Sequence, residues 1–185
     1  MRLRHVVRAL ATVLAGILIV TAMASGASAR TVKDPSGDGR YGIYGDIQSL
    51  SMTKVRGGAR VRTTFREYAD LHYFMVKRAG STKPSRVITW ETEYAQTPDD
   101  LRRITVQTWK DFRSGSGDSV CVLESGRFWG GRTLSFSFRL PGKCLGVGKR
   151  ASRLQVRETT FQYAAEFNGP SDSTRFTRSV VLQRS

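Results

Sequence analysis

Histidine, cysteine and acidic side chains are all scarce in this sequence. Two His occur in 185 residues, and only His72 lies beyond residue 29. That leaves little for imidazole-based catalysis, and too few ligands for a metal site of the His/Cys kind. No Gly-x-Ser-x-Gly elbow surrounds a serine. Neither a Gly-rich phosphate loop nor a dinucleotide fingerprint is present. Beyond residue 29 no apolar run approaches the roughly 18 residues that mark a transmembrane helix. Acids are half as numerous as cations: 15 Asp+Glu face 30 Lys+Arg, for a net charge of +15. The cations are dispersed, so there is no dedicated nucleic-acid tail or motif.

The first 29 residues read as an address. Arg2, Arg4 and Arg8 are followed by a stretch without charge from Ala9 to Ala29, apolar from Leu10 to Val20 and closing on Ala27-Ser28-Ala29. A basic start, an apolar middle and a small-x-small end describe a secretory signal peptide with cleavage after Ala29. An uncleaved anchor is the alternative, since the uncharged run is long enough to span a bilayer. No Cys sits at the cleavage point and no Arg-Arg pair precedes the apolar run, which argues against the lipoprotein and twin-arginine routes. The expected location is therefore secreted and extracellular, with no transmembrane segment after cleavage.

Export places Cys121 and Cys144 in an oxidising compartment, where two cysteines read as one disulfide. Closing a loop of about 24 residues stabilises a fold by roughly 3 kcal/mol in the chain-entropy picture. No CxxC redox motif is present.

Residues 30–185 carry +12 and fit one domain. Residues 30–45, rich in Gly with Asp and Pro, read as an irregular N-terminal arm, and 46–185 as the folded domain. In 46–185, short runs of β-formers alternate with turn residues, and helix-period stretches are nearly absent. The expected strands are 46–55, 60–67, 71–78, 86–94, 103–112, 119–124, 133–140, 154–167 and 176–182. In Thr133–Leu140, Leu134, Phe136, Phe138 and Leu140 alternate with Ser, Thr and Arg, which predicts one buried and one wet face. Val61, Thr63 and Phe65 alternate with Arg60, Arg62 and Arg66 in the same way. Leu71–Val76 is apolar on both faces, as a central strand should be. The one helix-like stretch, Thr97–Arg103, is a turn at most. This pattern predicts an all-β fold: a two-sheet antiparallel β-sandwich, jelly-roll or immunoglobulin-like, with one disulfide. A closed barrel is the alternative.

Asp34-Pro-Ser-Gly-Asp38 is followed by Asp46-Ile47, then by two strands joined at Gly57-Gly58. Later comes Arg139-Leu-Pro-Gly-Lys-Cys144-Leu-Gly146. This order resembles small secreted actinobacterial proteins of unassigned function. Their start is similar to that of DOMON-like domains and family 9 carbohydrate-binding modules. The resemblance implies a β-sandwich that binds sugars, haem or a structural calcium. Haem carriage in such domains uses Met and His, and only His72 is available here.

Several groups of residues could carry chemistry. Asp34, Asp38 and Asp46, with nearby backbone carbonyls, could hold a structural Ca²⁺, which takes oxygen ligands. The alternative is ordinary turn chemistry at Asp-Pro and Gly-Asp-Gly. Glu91 and Glu93 alternate on an expected strand. A carboxylate pair can serve glycoside hydrolysis, but on a strand it more often forms a solvated face. His72 lies between Leu71 and Tyr73 and reads as a packed strand residue. Trp129 at an expected hairpin tip, and Tyr41 and Tyr44 in the arm, could stack on a sugar or a base; the alternative for Trp129 is packing over a sheet edge. Twenty of the 27 cations beyond residue 29 are Arg. Those at outward strand positions, Arg60, Arg62 and Arg66 among them, should attract polyanions. The expected protein is a secreted, monomeric, non-catalytic binding domain for an envelope glycan or polyanion. A protein-interaction module is the alternative, and a glycan-active enzyme a more distant one.

Overall fold

The computed structural model describes residues 30–35, 37–40, 45–67, 69–92, 103–124, 126–130, 133–148, 150–162 and 169–182. Residues 1–29, where the signal peptide is expected, Tyr41, Tyr44, Glu93 and most of Thr97–Arg103 lie outside the described residues.

Twelve strands and one short helix follow each other along the described chain. They are β1 (Arg30–Lys33), β2 (Ile47–Val55), β3 (Gly58–Phe65), β4 (Leu71–Arg78), β5 (Arg86–Glu91), β6 (Ile104–Thr108), α1 (Trp109–Ser114), β7 (Cys121–Leu123), β8 (Arg127–Trp129), β9 (Leu134–Pro141), β10 (Ser152–Gln162), β11 (Gly169–Ser173) and β12 (Val180–Leu182). Two antiparallel sheets form. One has the order β1-β2-β3-β9-β8; the other has β11-β10-β4-β5-β6-β7, with β12 also paired to β10. They pack face to face as a β-sandwich.

Period-two sequence produces this packing. Ala59, Val61, Thr63 and Phe65 of β3 point inward beside Phe136, Phe138 and Leu140 of β9. The second sheet presents Phe74 and Val76 of β4, Ile88 and Trp90 of β5, and Leu154 and Val156 of β10. Aromatic pairs join the two layers. The Trp90 and Phe136 rings stack with centroids 3.6 Å apart, and Phe74 meets Phe138 edge-on at 5.0 Å. Burying such rings is the main apolar contribution to the core.

The β2–β3 hairpin turns at Arg56-Gly57, with Gly57 at φ +74°, and Gly58 already belongs to β3. A Cβ on Gly58 would come within 2.0 Å of the Leu140 carbonyl oxygen, so only glycine lets β9 approach there. The disulfide between Cys121 and Cys144 forms as expected. It ties β7, an edge of the larger sheet, to the turn after β9 of the smaller one. Arg86 Nε donates to the Cys144 carbonyl at 2.9 Å and holds that turn from β5.

Four local expectations are corrected. The arm is irregular only after Lys33: Arg30–Lys33 pairs with Ser49–Met52 as an edge strand, because β-branched Thr31 and Val32 extend the sheet before the glycines begin. The expected strand 103–112 ends at Thr108. There Thr108 Oγ1 accepts from Asp111 N at 3.1 Å and caps α1, which stops at Gly115 in the left-handed region. Trp129 closes a short edge strand instead of a hairpin tip. Ser135 and Ser137, expected to be wet, are buried beneath their neighbours on β3 and β8.

Candidate functional site

The outer face of the five-stranded sheet gathers three of the residues expected to bind, Arg60, Arg62 and Trp129. Register places its side chains in rows. One row runs Lys33, Ser49, Thr64, Ser135, Trp129. The next runs Thr31, Ser51, Arg62, Ser137, Arg127. A third holds Thr53, Arg60 and Arg139. Lys33, Arg60, Arg62, Arg127 and Arg139 are all exposed. Between them lies a lawn of hydroxyls. Among the described residues no acidic side chain holds a register position on this face. Residues two apart on a strand are separated by about 7 Å and neighbouring strands by about 4.8 Å, so the cations form a repeating array.

This array stores repulsion. Arg60 stands directly opposite Arg139, and like charges in that position are destabilising. Arg139 is drawn aside by a hydrogen bond from its Nη2 to the Arg56 carbonyl. Arg62 is better fixed. Its Nε donates to Ser135 Oγ at 3.1 Å and its guanidinium carbon lies 5.8 Å from the Trp129 ring centroid. Trp129 is 47% exposed, whereas Trp90 is fully buried in the core. Arg66 does not join the array, because it turns to Asp46 at 3.8 Å.

Lys33, Arg127, Arg139 and the serine floor were missed by sequence reasoning, which grouped cations within a strand. Their only sequence signal is the outward phase of three-to-eight-residue strands; which strands adjoin is set by tertiary pairing.

The acidic residues assemble differently from the expectation. Asp34 and Asp38 come together with Asp172 on β11, with one carboxylate oxygen of each within 4.8 Å of the others. Asp46 is set apart. It is fully buried, and its two carboxylate oxygens accept from Gly37 N at 3.1 and 2.9 Å. Asp172 Oδ2 accepts from Ile47 N at 2.7 Å and Oδ1 from Ser173 N at 2.6 Å. Asp34 Oδ2 is buried without a hydrogen-bond partner. Burial, reinforced by Asp172, Asp38 and Asp46 and opposed by Arg175, pushes the Asp34 carboxyl up to about 6. Asp172 is also raised, chiefly by burial, against the two backbone N–H groups that favour its charged form. The donor set is all oxygen, which fits a hard divalent cation.

His72 is sealed in the core. Its Nδ1 meets Glu158 Oε1 at 2.7 Å, and Thr63 Oγ1 donates to Glu158 Oε2 at 2.5 Å. All three residues are fully buried. Phe65, Phe74 and Trp90 surround the imidazole, and its Nε2 has no hydrogen-bond partner. Here the carboxylate sits between hydroxyl and imidazole. A nucleophile–base–acid relay needs the imidazole in the middle. Glu91 is exposed at the end of β5.

No protein-family model, no curated protein and no solved structure matches this chain. Among the described residues, no helix is long and apolar enough to cross a membrane.

Proposed function

We propose that this protein is a secreted, non-catalytic binding module. It holds an anionic polymer or glycan on the outer face of the five-stranded sheet. One observation carries the reading: register brings Lys33, Arg60, Arg62, Arg127 and Arg139, many hydroxyls and Trp129 onto one face without an acid among the described residues. Such a surface attracts an extended chain of negative charge and offers it hydrogen bonds along its length. The like-charge pair Arg60 and Arg139 becomes favourable once an anion lies between them.

Export is supported by the leader and by the Cys121–Cys144 disulfide. A binding role without turnover is supported by His72, whose imidazole solvent does not reach. A structural calcium belongs to the same reading, at Asp34, Asp38 and Asp172 in place of the trio expected from sequence. The buried, unpaired Asp34 Oδ2 supports it.

The test is retention on immobilised anionic polymers: polygalacturonate, polyphosphate and DNA, each at low and high salt. Replacing Arg60, Arg62 and Arg127 by Gln should abolish retention. Replacing exposed Arg78, Lys110 and Arg153 of the other layer should not. Equal loss from both sets would reduce the reading to net charge alone, and no retention at low salt would overturn it.

A further inference from the structure

The basic face has one place built differently from the rest, where Arg62, Ser135 and Trp129 meet. We propose that this is a subsite for one acidic sugar residue of a glycan chain. The sugar ring lies on Trp129, and its anionic group is taken by the terminal nitrogens of Arg62. The proposal rests on the preceding reading of the face and names its ligand class.

Trp129 is the last residue of β8, an edge strand, so its ring is flanked by sheet on one side only. It is 47% exposed, the highest among the aromatic side chains described. Its cross-strand neighbour is Ser135, and Thr64 and Ser49 continue the row. Small hydroxyl side chains therefore line the sheet beside a large apolar plate. A pyranose presents the matching surface: an apolar ring face and a rim of hydroxyl groups.

Arg62 supplies the charge in a fixed orientation. The Nε hydrogen bond to Ser135 Oγ and the approach to the Trp129 ring hold the guanidinium on both sides. Neither contact uses the two terminal nitrogens, and no group among the described residues pairs with them. They form the fork that recognises a carboxylate or sulfate bidentately. The guanidinium carbon stands over the ring, 5.8 Å from its centroid, so the sugar takes the part of the ring that Arg62 leaves open, with its exocyclic anionic group turned to the fork. Arg127, two residues before Trp129 on the same strand face, is placed to meet the next charge along the chain.

A simple polyphosphate matches the cations but has no apolar face for Trp129. Single-stranded nucleic acid is bound by several successive aromatic platforms. Among the described residues, one exposed ring stands among hydroxyls here. The acidic glycan uses every element of the site.

The test is affinity electrophoresis of the purified protein in gels containing polygalacturonate, a sulfated glycan, polyphosphate, single-stranded DNA or a neutral glucan. Polygalacturonate and the sulfated glycan separate the two sources of the anionic group. Trp129→Ala should weaken binding to at least one acidic glycan about tenfold and leave polyphosphate binding within twofold, in line with the loss of one stacking contact. Arg62→Gln should weaken both. Arg62→Lys should not restore glycan binding, because the fork is lost. Trp129→Phe, which keeps a ring, should retain most of it and guards against a folding defect in the alanine variant. If Trp129→Ala binds acidic glycans like the parent while the arginine variants do not, the subsite is wrong and the polyanion face stands. If DNA binds more tightly than the glycans and depends on Trp129, the occupant is nucleic acid and the proposal is overturned. If the parent binds no anionic polymer, the reading of the whole face fails with it.

Discussion

Replacing Glu158 by leucine should damage this fold more than its single side chain suggests. Glu158 is fully buried and satisfies two other buried groups, His72 Nδ1 at 2.7 Å and Thr63 Oγ1 at 2.5 Å. The variant leaves an imidazole nitrogen and a hydroxyl unpaired between two sheets. Removing one partner of a buried pair costs about 3–5 kcal/mol. For a domain of this size each kcal/mol lowers the melting midpoint by about 2–4 °C, so the drop should be at least about 6 °C. The rest of the reasoning is tested by the triple variant Thr63→Val, His72→Leu, Glu158→Leu. It replaces the network by apolar groups of similar size among Phe65, Phe74 and Trp90, and should recover most of the loss. The assay is urea unfolding followed by circular dichroism, with the disulfide intact. A single variant that loses less than about 1 kcal/mol would refute the account of a costly buried network. So would a triple variant no better than the single one.

The remaining predictions concern other links in the structure. Mass spectrometry should find the oxidised chain lighter by the two thiol hydrogens, and replacing both Cys121 and Cys144 by Ser should cost about 3 kcal/mol by chemical denaturation. Gly58→Ala should destabilise strongly, because its Cβ would meet the Leu140 carbonyl oxygen at 2.0 Å. A neutral effect would show that β9 does not approach there. In chelator, Asp34 with a folded-state value of about 6 against 3.8 holds a proton more tightly when folded. Its contribution to stability therefore falls as pH rises through about 4 to 6. Asp34→Asn should raise the neutral-pH melting midpoint in chelator and flatten that dependence; an unchanged pH profile would refute the buried carboxylate. Calcium should raise the parent's midpoint and leave that of Asp34→Asn unmoved. Equal midpoints for the parent with calcium and with chelator would remove the ion from the account.

The strands that alternate over many residues were legible in the sequence. β9 has Leu and Phe at every second position and β3 has Ala, Val, Thr and Phe, and that phase alone identifies the core face, while β4 reads as a central strand because it is apolar on both faces. The edges were not legible. β8 has three residues, too few to show a period. β11 is Gly-Pro-Ser-Asp-Ser, a composition typical of loops, and is a strand only because β10 pairs with it. The helix α1 is six residues long, too short for a period signal, although Thr108 and Gly115 carry its end markers. The same limit governs the sites. Asp172 joins Asp34 across most of the chain, so no local spacing announces it. Arg66 shares the outward phase of Arg60 and Arg62, yet Asp46 draws it away. Sequence gives the phase of each strand, whereas the membership of a face depends on which strands become neighbours.

The measurement that tests the central claim most directly is the footprint of a bound anionic polymer, read by backbone amide chemical shifts. With polygalacturonate added at low salt, the perturbed amides should belong to β3, β8 and β9. The largest changes should lie around Arg62, Ser135 and Trp129. The outer face of the other sheet, from Tyr73 to Lys77 and from Arg153 to Arg157, should remain unchanged. Shifts concentrated on that second sheet, or spread evenly over both layers, would contradict the account.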